Sequence, residues 1–243
     1  MSILKAENIS KSFGENSVLQ NVSIELNEGE VVALIGVSGG GKTTLFNILS
    51  GLYAPDEGKV FLNGDDITGT PGKISYMLQK DLLLPHKKVI DNVSLPLVLK
   101  GMSKKEARAE ANGFFEEFGI DGIQYSYPDE LSGGMRQRAA FLRTYLSSNG
   151  VALLDEPFSA LDTLTKSKLH QWYLDVIRKI NLSTLFITHD IDEAIVLSDR
   201  IYILINGEIN NEIKIDAPKP RNINFNLTTE FLDYKRELLE ILS

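Results

Sequence analysis

One run of eight residues, 36–43, constrains the fold more than any other part of the chain. Its sequence, Gly-Val-Ser-Gly-Gly-Gly-Lys-Thr, breaks regular structure. Residues 31–35 before it form a short, continuous, largely β-branched apolar run, which is typical of a buried strand. After it, Leu45, Ile48 and Leu49 recur at helical spacing. The sequence therefore predicts a strand, a glycine loop and a helix in that order, as in α/β domains.

The same loop has the spacing of a phosphate-binding loop, in which a glycine and four residues precede Gly-Lys-Ser/Thr. Glycines allow successive backbone N–H groups to surround an anion at a helix N-terminus. Lys42 can then reach the outer phosphates of a nucleotide, and the Thr43 hydroxyl can ligate Mg²⁺. The predicted nucleotide-binding residues of the loop are Gly36, Ser38, Gly39, Gly40, Gly41, Lys42, Thr43 and Thr44. The alternative is a glycine-rich turn that merely precedes a helix and ends in Lys-Thr.

A second apolar run, residues 151–154, is followed by two carboxylates, Asp155 and Glu156. Parallel sheets present the carboxyl ends of their strands to a ligand crevice, so this pair is placed to act on a bound nucleotide. We predict that Asp155 holds the metal ion and that Glu156 polarises the attacking water. The alternative is a solvated strand end without a chemical role.

The organisation of the chain indicates one domain, 1–243, because 243 residues are too few for two ordinary enzyme domains. Short apolar runs separated by turns predict a β region before about residue 35, and alternating strands and helices after residue 150 predict a mainly parallel sheet. Residues from about 86 to 140 contain few β-branched runs, which predicts a helical subdomain inserted into the α/β core. A C-terminal tail from about 216 to 243 ends in an amphipathic helix.

Two local patterns predict helix starts. Ser103 and Glu106 have the spacing of a capping box and predict a helix that runs to about Phe118. Asp190 and Glu193 have the same spacing and predict a short helix after the strand at 185–188.

Composition excludes several classes of function. The net charge of −8 disfavours non-specific attraction to nucleic acid or anionic lipid, and we expect no nucleic-acid partner. The absence of cysteine excludes disulfides and thiolate metal sites, and the three histidines are too scattered for a metal motif. No apolar run approaches the roughly 20 residues of a membrane-spanning helix, and the N-terminus has no export signal. We therefore expect a chain that neither spans a bilayer nor is exported.

A further Ser-Gly-Gly turn, Ser132, Gly133 and Gly134, leads into a helix and provides a second anion-binding helix N-terminus. Together with the glycine loop and the Asp155–Glu156 pair, it resembles the signature of ATP-binding cassette (ABC) proteins over nearly the whole chain. Three further segments match that family: Gln79 after the strand at 74–78, residues 159–162, and His189.

The resemblance implies a P-loop NTPase core with an N-terminal antiparallel β region and an inserted helical subdomain. It also implies a head-to-tail homodimer in which ATP on the glycine loop of one chain is covered by residues 132–134 of the other. Phe13 would stack on adenine, although the family more often has Tyr there. Gly40 replaces a larger residue that is usual in the loop. The implied metal-binding residues are Thr43, Gln79 and Asp155, and the implied catalytic residues are Lys42, Glu156 and His189.

The function implied is that of a Mg-dependent ATPase subunit of an ABC transporter, peripheral on the cytoplasmic side of the membrane. Its partners would be integral-membrane permease subunits and an extracytoplasmic solute-binding protein. The permease would dock on residues 79–96, where the apolar runs 82–84 and 93–99 lie near the boundary of the helical region. The alternative is that these leucines only fill the core of the helical subdomain. Residues 82–99, 131–162 and 216–221 resemble the importers of nitrate, sulfonates, taurine and thiamine pyrimidine precursors. Two alternatives remain: a soluble ABC ATPase acting on ribosomes or nucleic acid, and a nucleotide kinase, which the Ser-Gly-Gly signature opposes.

Overall fold

The computed structural model describes residues 2–159, 163–219, 221 and 224–242. The strands are β1 (Ser2–Phe13), β2 (Asn16–Asn27), β3 (Val31–Gly36), β4 (Glu57–Leu62), β5 (Asp65–Asp66), β6 (Ser75–Met77), β7 (Val151–Asp155), β8 (Ser183–Ile187), β9 (Arg200–Ile205) and β10 (Glu208–Lys214). The helices are α1 (Lys42–Leu49), α2 (Val89–Val93), α3 (Leu95–Leu99), α4 (Lys104–Asn112), α5 (Gly133–Ser147), α6 (Thr163–Ile180), α7 (Ile191–Leu197) and α8 (Thr229–Leu242). Single 3₁₀ turns lie at Pro128–Glu130 and Phe225–Leu227.

The larger sheet has the order β10-β9-β3-β8-β7-β6, with parallel pairing throughout except between β9 and the edge strand β10. Strands β7 and β8 are buried along their whole length, as expected where helices or a second sheet cover both faces. The order places the carboxyl ends of β3, β6, β7 and β8 at one edge. The prediction of a mainly parallel sheet is confirmed.

The smaller sheet is antiparallel, with the order β2-β1-β4-β5. Its inward residues and those of α1 form one hydrophobic core with Val32 and Leu34 of β3. Val31, Ala33 and Ile35, on the other face of β3, belong to a second core beneath the helices. This alternation explains why β3 is apolar at every position. The predicted antiparallel β region at the N-terminus is confirmed.

Helices α2 to α5 lie between β6 and β7 in the chain. The capping box of α4 is present, since Ser103 Oγ accepts from Glu106 N at 3.3 Å and Glu106 Oε2 accepts from Ser103 N at 3.3 Å. The prediction that this helix reaches Phe118 is wrong, because α4 ends at Asn112, before Gly113. The following residues form turns that bury Phe115 and Phe118.

The C-terminal segment packs against the hydrophobic core that lies beneath the helices. Phe231 and Leu238 of α8 are buried, as its amphipathic pattern predicts. Arg221 is also buried and donates to the carbonyls of Ile195, Val196 and Ser198 at the end of α7. Across the described ranges, no helix is both long enough and apolar enough to span a membrane.

Candidate active site

The glycine loop joins β3 to α1, and two of its glycines are required by their surroundings. Gly36 has φ of +154°, and a Cβ there would lie 2.1 Å from the Leu204 carbonyl oxygen on β9. Gly41, the N-cap of α1, has φ of +96°, and its Cβ would lie 2.8 Å from the Val18 carbonyl oxygen. Neither position has room for another residue without a shift of the backbone.

The first turn of α1 is suited to binding an anion. The hydrogen bond that begins the helix runs from Leu45 N to Gly41 O at 2.9 Å. By helix geometry, the N–H groups of Lys42, Thr43 and Thr44 have no carbonyl partner within the helix, and the glycine N-cap supplies no side chain to them. Gly40 uses its own N–H to close the loop, donating to Val37 O at 3.1 Å. The loop therefore fits the phosphates of a nucleotide.

Lys42 places its ammonium group at this loop. Its Nζ donates to the carbonyl oxygens of Gly36 and Val37, both at 2.9 Å. Burial lowers the pKa of Lys42, and the neighbouring carboxylates of Glu156 and Asp155 partly oppose that effect. The cation thus lies between the glycine loop and the acidic pair.

Asp155 ends β7 and is nearly buried. Burial raises its pKa, which the Tyr76 hydroxyl partly offsets by donating to Asp155 Oδ2 at 3.3 Å. Lys42 and the side chain of Thr43 lower the same pKa. A hydroxyl and a single carboxylate beside a phosphate-binding loop fit Mg²⁺, which keeps several ligands from water and substrate phosphate. Among the described residues there is no cluster of three or more His, Cys, Asp or Glu side chains for a metal held by protein alone.

Glu156 is the point at which the predicted site residues meet. Gln79 Nε2 donates to Glu156 Oε2 at 2.9 Å, and His189 Nδ1 lies 3.2 Å from Glu156 Oε1. The three residues follow β6, β7 and β8, whose carboxyl ends share one edge. Glu156 has φ of +46°, an unfavourable conformation for a residue with a Cβ, and its N–H is fixed by Ile187 O at 3.0 Å.

The turn after Glu156 is closed locally. Ser159 donates to the Glu156 carbonyl oxygen through its N–H at 3.2 Å and through its Oγ at 3.0 Å. Of the predicted segment 159–162, residues 160–162 lie outside the described residues.

Phe13 lies at the end of β1 and is half exposed. Its ring packs edge-to-face with Tyr53, which follows α1, at 6.0 Å between centroids. The ammonium of Lys11 lies 5.7 Å from the centroid of the Phe13 ring. Phe13 therefore has accessible aromatic surface, and its stacking on adenine stays a prediction.

The Ser-Gly-Gly turn has only local contacts among those the structure describes. Ser132 is the exposed N-cap of α5 and accepts from Met135 N at 3.3 Å. None of the described hydrogen bonds joins residues 132–134 to the glycine loop of the same chain. This turn is available to a second molecule.

Two contacts of the site had no signal in the sequence. Tyr76 is one aromatic residue in a short strand, and nothing in the pattern separates it from core residues, although its hydroxyl contacts Asp155. Arg143 of α5 donates to the carbonyl oxygens of Asp81 at 2.5 Å and Leu82 at 2.9 Å, and so ties the loop after Gln79 to the helix of the Ser-Gly-Gly turn.

Comparison with known proteins identifies the family. Residues 19–159 match the family described as ABC transporter. The chain is 42% identical to the formylaminopyrimidine import ATP-binding protein ThiZ of Halalkalibacterium halodurans, over 98% of this chain and 93% of that protein. It is 38% identical to the aliphatic sulfonates import ATP-binding protein SsuB 1 of Shouchella clausii, over 97% and 90%. It is 35% identical to the nitrate import ATP-binding protein NrtD of a Synechocystis strain, over 94% and 89%.

Solved structures agree with this assignment. The dimeric structure of the bacterial ABC transporter cassette MJ0796 superposes with a TM-score of 0.76 at 31% identity, covering 88% of this chain and all of that one. The ADP conformation of the cassette MJ1267 gives a TM-score of 0.78 at 25% identity, covering 97% and 99%. The predicted resemblance and fold class are therefore confirmed, and the chain belongs to the ABC transporter family as one of its ATPase cassettes.

Proposed function

We propose that this cassette is the ATP-hydrolysing motor of an importer, and that Glu156 is its general base. The observation that carries the proposal is the geometry at Glu156, where one carboxylate contacts both Gln79 and His189 beside Asp155 and Lys42. A general base needs a carboxylate with at least one oxygen directed at water, and Glu156 retains partial exposure of its side chain.

The residues divide the chemistry of in-line attack of water on the γ-phosphate. Glu156 accepts the proton of the attacking water. His189 orients the Glu156 carboxylate through its contact with Oε1 and contacts the γ-phosphate. Lys42, placed at the glycine loop, offsets the negative charge that develops on the phosphate oxygens.

Mg²⁺ fits the donor set at the end of β7. Thr43, Asp155 and Gln79 are the residues that would hold it, together with phosphate oxygens. A bound Mg²⁺ would supply positive charge that neutralises part of the charge on the phosphates. The accompanying nucleotide would contact the loop residues from Gly36 to Thr44, with Phe13 against the base.

The complete site is proposed to require a second copy of the chain. Ser132, Gly133 and Gly134 are exposed or half exposed at the start of α5, where N–H groups and the helix dipole favour an anion. A related cassette has been solved as a dimer, which supports the same arrangement here. In a head-to-tail homodimer, these residues of each chain cover the nucleotide on the loop of the other.

Mixing two inactive variants tests this arrangement. Ser132→Arg damages the covering turn, and Lys42→Ala damages the loop, so each homodimer should be inactive. A heterodimer would have one intact site and one doubly damaged site, and we expect partial ATPase activity on mixing. If verified heterodimers stay inactive, action across the interface is contradicted.

A groove between β6, α3 and α5 is the proposed docking site for a permease helix. Its volume is about 480 Å³, and it is lined by Leu78, Leu82, Pro96, Leu99 and Arg143 among others. The expectation that Leu83 belongs to the docking surface is wrong: Leu83 is only 6% exposed and packs in the core, while Leu84 is half-buried. Leu82 and Leu99, which the same prediction includes, are 52% and 79% exposed and do contribute apolar surface.

Negative charge introduced into the groove should abolish binding of the cassette to the permease. The double variant Leu82→Glu/Leu99→Glu is expected to lose co-purification with the permease and to keep its melting temperature, because both side chains are exposed. Leu232→Glu, on a similarly exposed leucine of α8, serves as the matched control. Undiminished permease capture by the double variant, measured by affinity purification from solubilised membranes, would remove the groove from this role.

The proposed cargo is a small solute of the type named for the relatives: formylaminopyrimidine, a sulfonate or nitrate. Such a system would include an extracytoplasmic solute-binding protein, with this chain peripheral on the cytoplasmic side of the membrane. Nothing in the ATPase chemistry selects the cargo, so the support is similarity alone.

The partner solute-binding protein provides the test of cargo. A ligand at 100 times its dissociation constant stabilises a protein by about 2.7 kcal/mol, which a thermal-shift screen detects. We expect a response to an aminopyrimidine, a sulfonate or nitrate. A response only to sugars, amino acids or metal ions would contradict this class and leave the ATPase proposal intact.

A further inference from the structure

A nearly buried carboxylate lies behind the loop that carries His189. Glu193, in the first turn of α7, is 3% exposed. A carboxylate in such a position is unfavourable unless it is paired and hydrogen-bonded. The side chains that contact Glu193 therefore indicate its role.

Three side chains, two from α6 and one from the loop after β8, converge on Glu193. The Lys166 ammonium of α6 lies 2.5 Å from Glu193 Oε1, and Thr188 Oγ1 donates to Glu193 Oε2 at 2.5 Å. His170 Nε2 lies 3.4 Å from the same Oε1, and neither the Lys166 nor the His170 contact with Oε1 has the alignment of a hydrogen bond. Burial raises the pKa of Glu193, but His170, Lys166 and Thr188 outweigh burial and hold that pKa below its ordinary value. Glu193 and Lys166 therefore form a buried ion pair in the folded protein.

The same cluster holds both neighbours of His189. Lys166 Nζ donates a hydrogen bond to Asp190 Oδ2 at 2.9 Å, and Thr188 Oγ1 accepts one from Asp190 N at 3.0 Å. Asp190 Oδ1 in turn accepts from Glu193 N at 3.2 Å, which caps α7. The residues before and after His189 are thus held through their side chains, Thr188 by Glu193 and Asp190 by Lys166.

His189 itself has little packing to hold it. Its side chain is 64% exposed, and the ion-pair contact described for it is the one with Glu156. The direction of its ring therefore depends on the backbone at 188–190. A displacement of about 1 Å in a positioned group costs on the order of 10²-fold in rate, so a fixed loop has a measurable effect.

The cluster also contacts the segment that follows the base. His170 packs edge-to-face on Phe158 at 4.7 Å between ring centroids. Phe158 is buried two residues after Glu156. The cluster of Lys166, His170 and Glu193 therefore contacts both the segment after Glu156 and the residues on either side of His189.

We propose that Lys166 and Glu193 are positioning residues for ATP hydrolysis: their buried pair fixes residues 188–190 and so aims the His189 imidazole at Glu156. The inference rests on the proposed role of His189. Neither residue touches the nucleotide in this assignment, and each acts through the loop. Binding of ATP should therefore be unaffected where hydrolysis is impaired.

Kinetics in two backgrounds test the proposal. Lys166→Met should lower single-turnover hydrolysis of radiolabelled ATP by about 10- to 100-fold, with the dissociation constant for ATP within about twofold of the original. In a His189→Ala background, the same substitution should change the residual rate by less than about twofold, because no imidazole remains to be aimed. An equal loss in both backgrounds would show a purely structural role and overturn the proposal.

Matched variants exclude general effects of the substitution. Lys168→Met makes the same change on an exposed lysine of the same helix and should leave the rate unchanged. Lys166→Arg keeps the cation and should recover most of the rate. Should Lys166→Met fold poorly because Glu193 is left buried without its ammonium partner, the double variant Lys166→Met/Glu193→Gln removes both charges and replaces it in the two-background test.

Histidine resonances give a readout that does not depend on activity. The chain has three histidines, so selective ¹⁵N/¹³C-histidine labelling gives three ring signals. Lys166→Met should shift the His189 ring signals although Lys166 does not touch that ring, while the exposed His86 serves as the unmoved reference. Unmoved His189 signals would overturn the proposal. Shifted signals together with a wild-type rate for His189→Ala would support the positioning and reject the proposed role of His189, so the two failures are distinguishable.

Discussion

Replacement of Glu156 by glutamine is expected to lower the rate of ATP hydrolysis by about 10²-fold or more, a loss typical of a positioned general base. ATP binding should be retained, because the substitution keeps the shape of the side chain. A glutamine oxygen can still accept from Gln79 Nε2, which donates to Glu156 Oε2 at 2.9 Å. The lost property is the capacity to take a proton from water.

The measurement is steady-state phosphate release, together with ATP affinity by calorimetry. Because ATP then persists in the site, size-exclusion chromatography with ATP should show more dimer than the original protein does. Glu208→Gln, which removes one negative charge from an exposed position at the start of β10, is the control and should hydrolyse normally. A Glu156→Gln protein that hydrolyses ATP at the original rate would exclude Glu156 as the base.

The unit of β3, the glycine loop and α1 could be predicted because its sequence signals lie next to one another in the chain. The glycine loop, the apolar run of β3 and the spacing of α1 are adjacent in the chain, and the structure places them at Val31–Gly36 and Lys42–Leu49. The order of the larger sheet has no such signal. Strand β3 lies between β8 and β9, which follow it by about 150 and about 170 residues, and pairing at that separation is decided by packing of the whole core.

The three leucines at 82–84 differ in exposure in a way that the sequence pattern could not predict. They are identical in type, yet Leu82 is exposed with φ of +46°, Leu83 is buried and Leu84 is half-buried. Arg143, 61 residues away from Leu82, holds that loop by its carbonyl oxygens. Exposure here depends on a contact from another element, which spacing in the sequence does not encode.

The acidic site was predictable in two unequal parts. Asp155 and Glu156 follow from a strand that ends in carboxylates, whereas Gln79 and His189 were assigned only through the resemblance to ABC proteins. The structure places both beside Glu156. Glu193 was predicted as the partner of a helix cap, but its side chain turns inward to Lys166 and Thr188, because its burial requires a charge partner.

The second large effect is expected at Lys42. Lys42→Ala should weaken ATP binding itself by about 10- to 100-fold, since hydrogen bonds to charged groups contribute about 1.5–3 kcal/mol. The ammonium is nearly buried at the glycine loop and would face the phosphates of bound ATP before any reaction, unlike the Glu156 carboxylate, whose role concerns the attacking water. The two variants should therefore differ in which quantity changes. Glu156→Gln should lose turnover at normal ATP affinity, whereas Lys42→Ala should lose ATP affinity.

Calorimetric titration with ATP in the presence of Mg²⁺ measures this separation. Lys59→Ala is the matched control, because it removes one positive charge from an exposed pair with Asp66 in the β4–β5 hairpin, where an exposed ion pair contributes about 0–1 kcal/mol to stability. It should bind ATP with unchanged affinity. If Lys42→Ala also binds ATP as tightly as the original protein, then the carbonyl contacts of Lys42 with Gly36 and Val37 are structural only, and the loop's backbone N–H groups bind the phosphates without it.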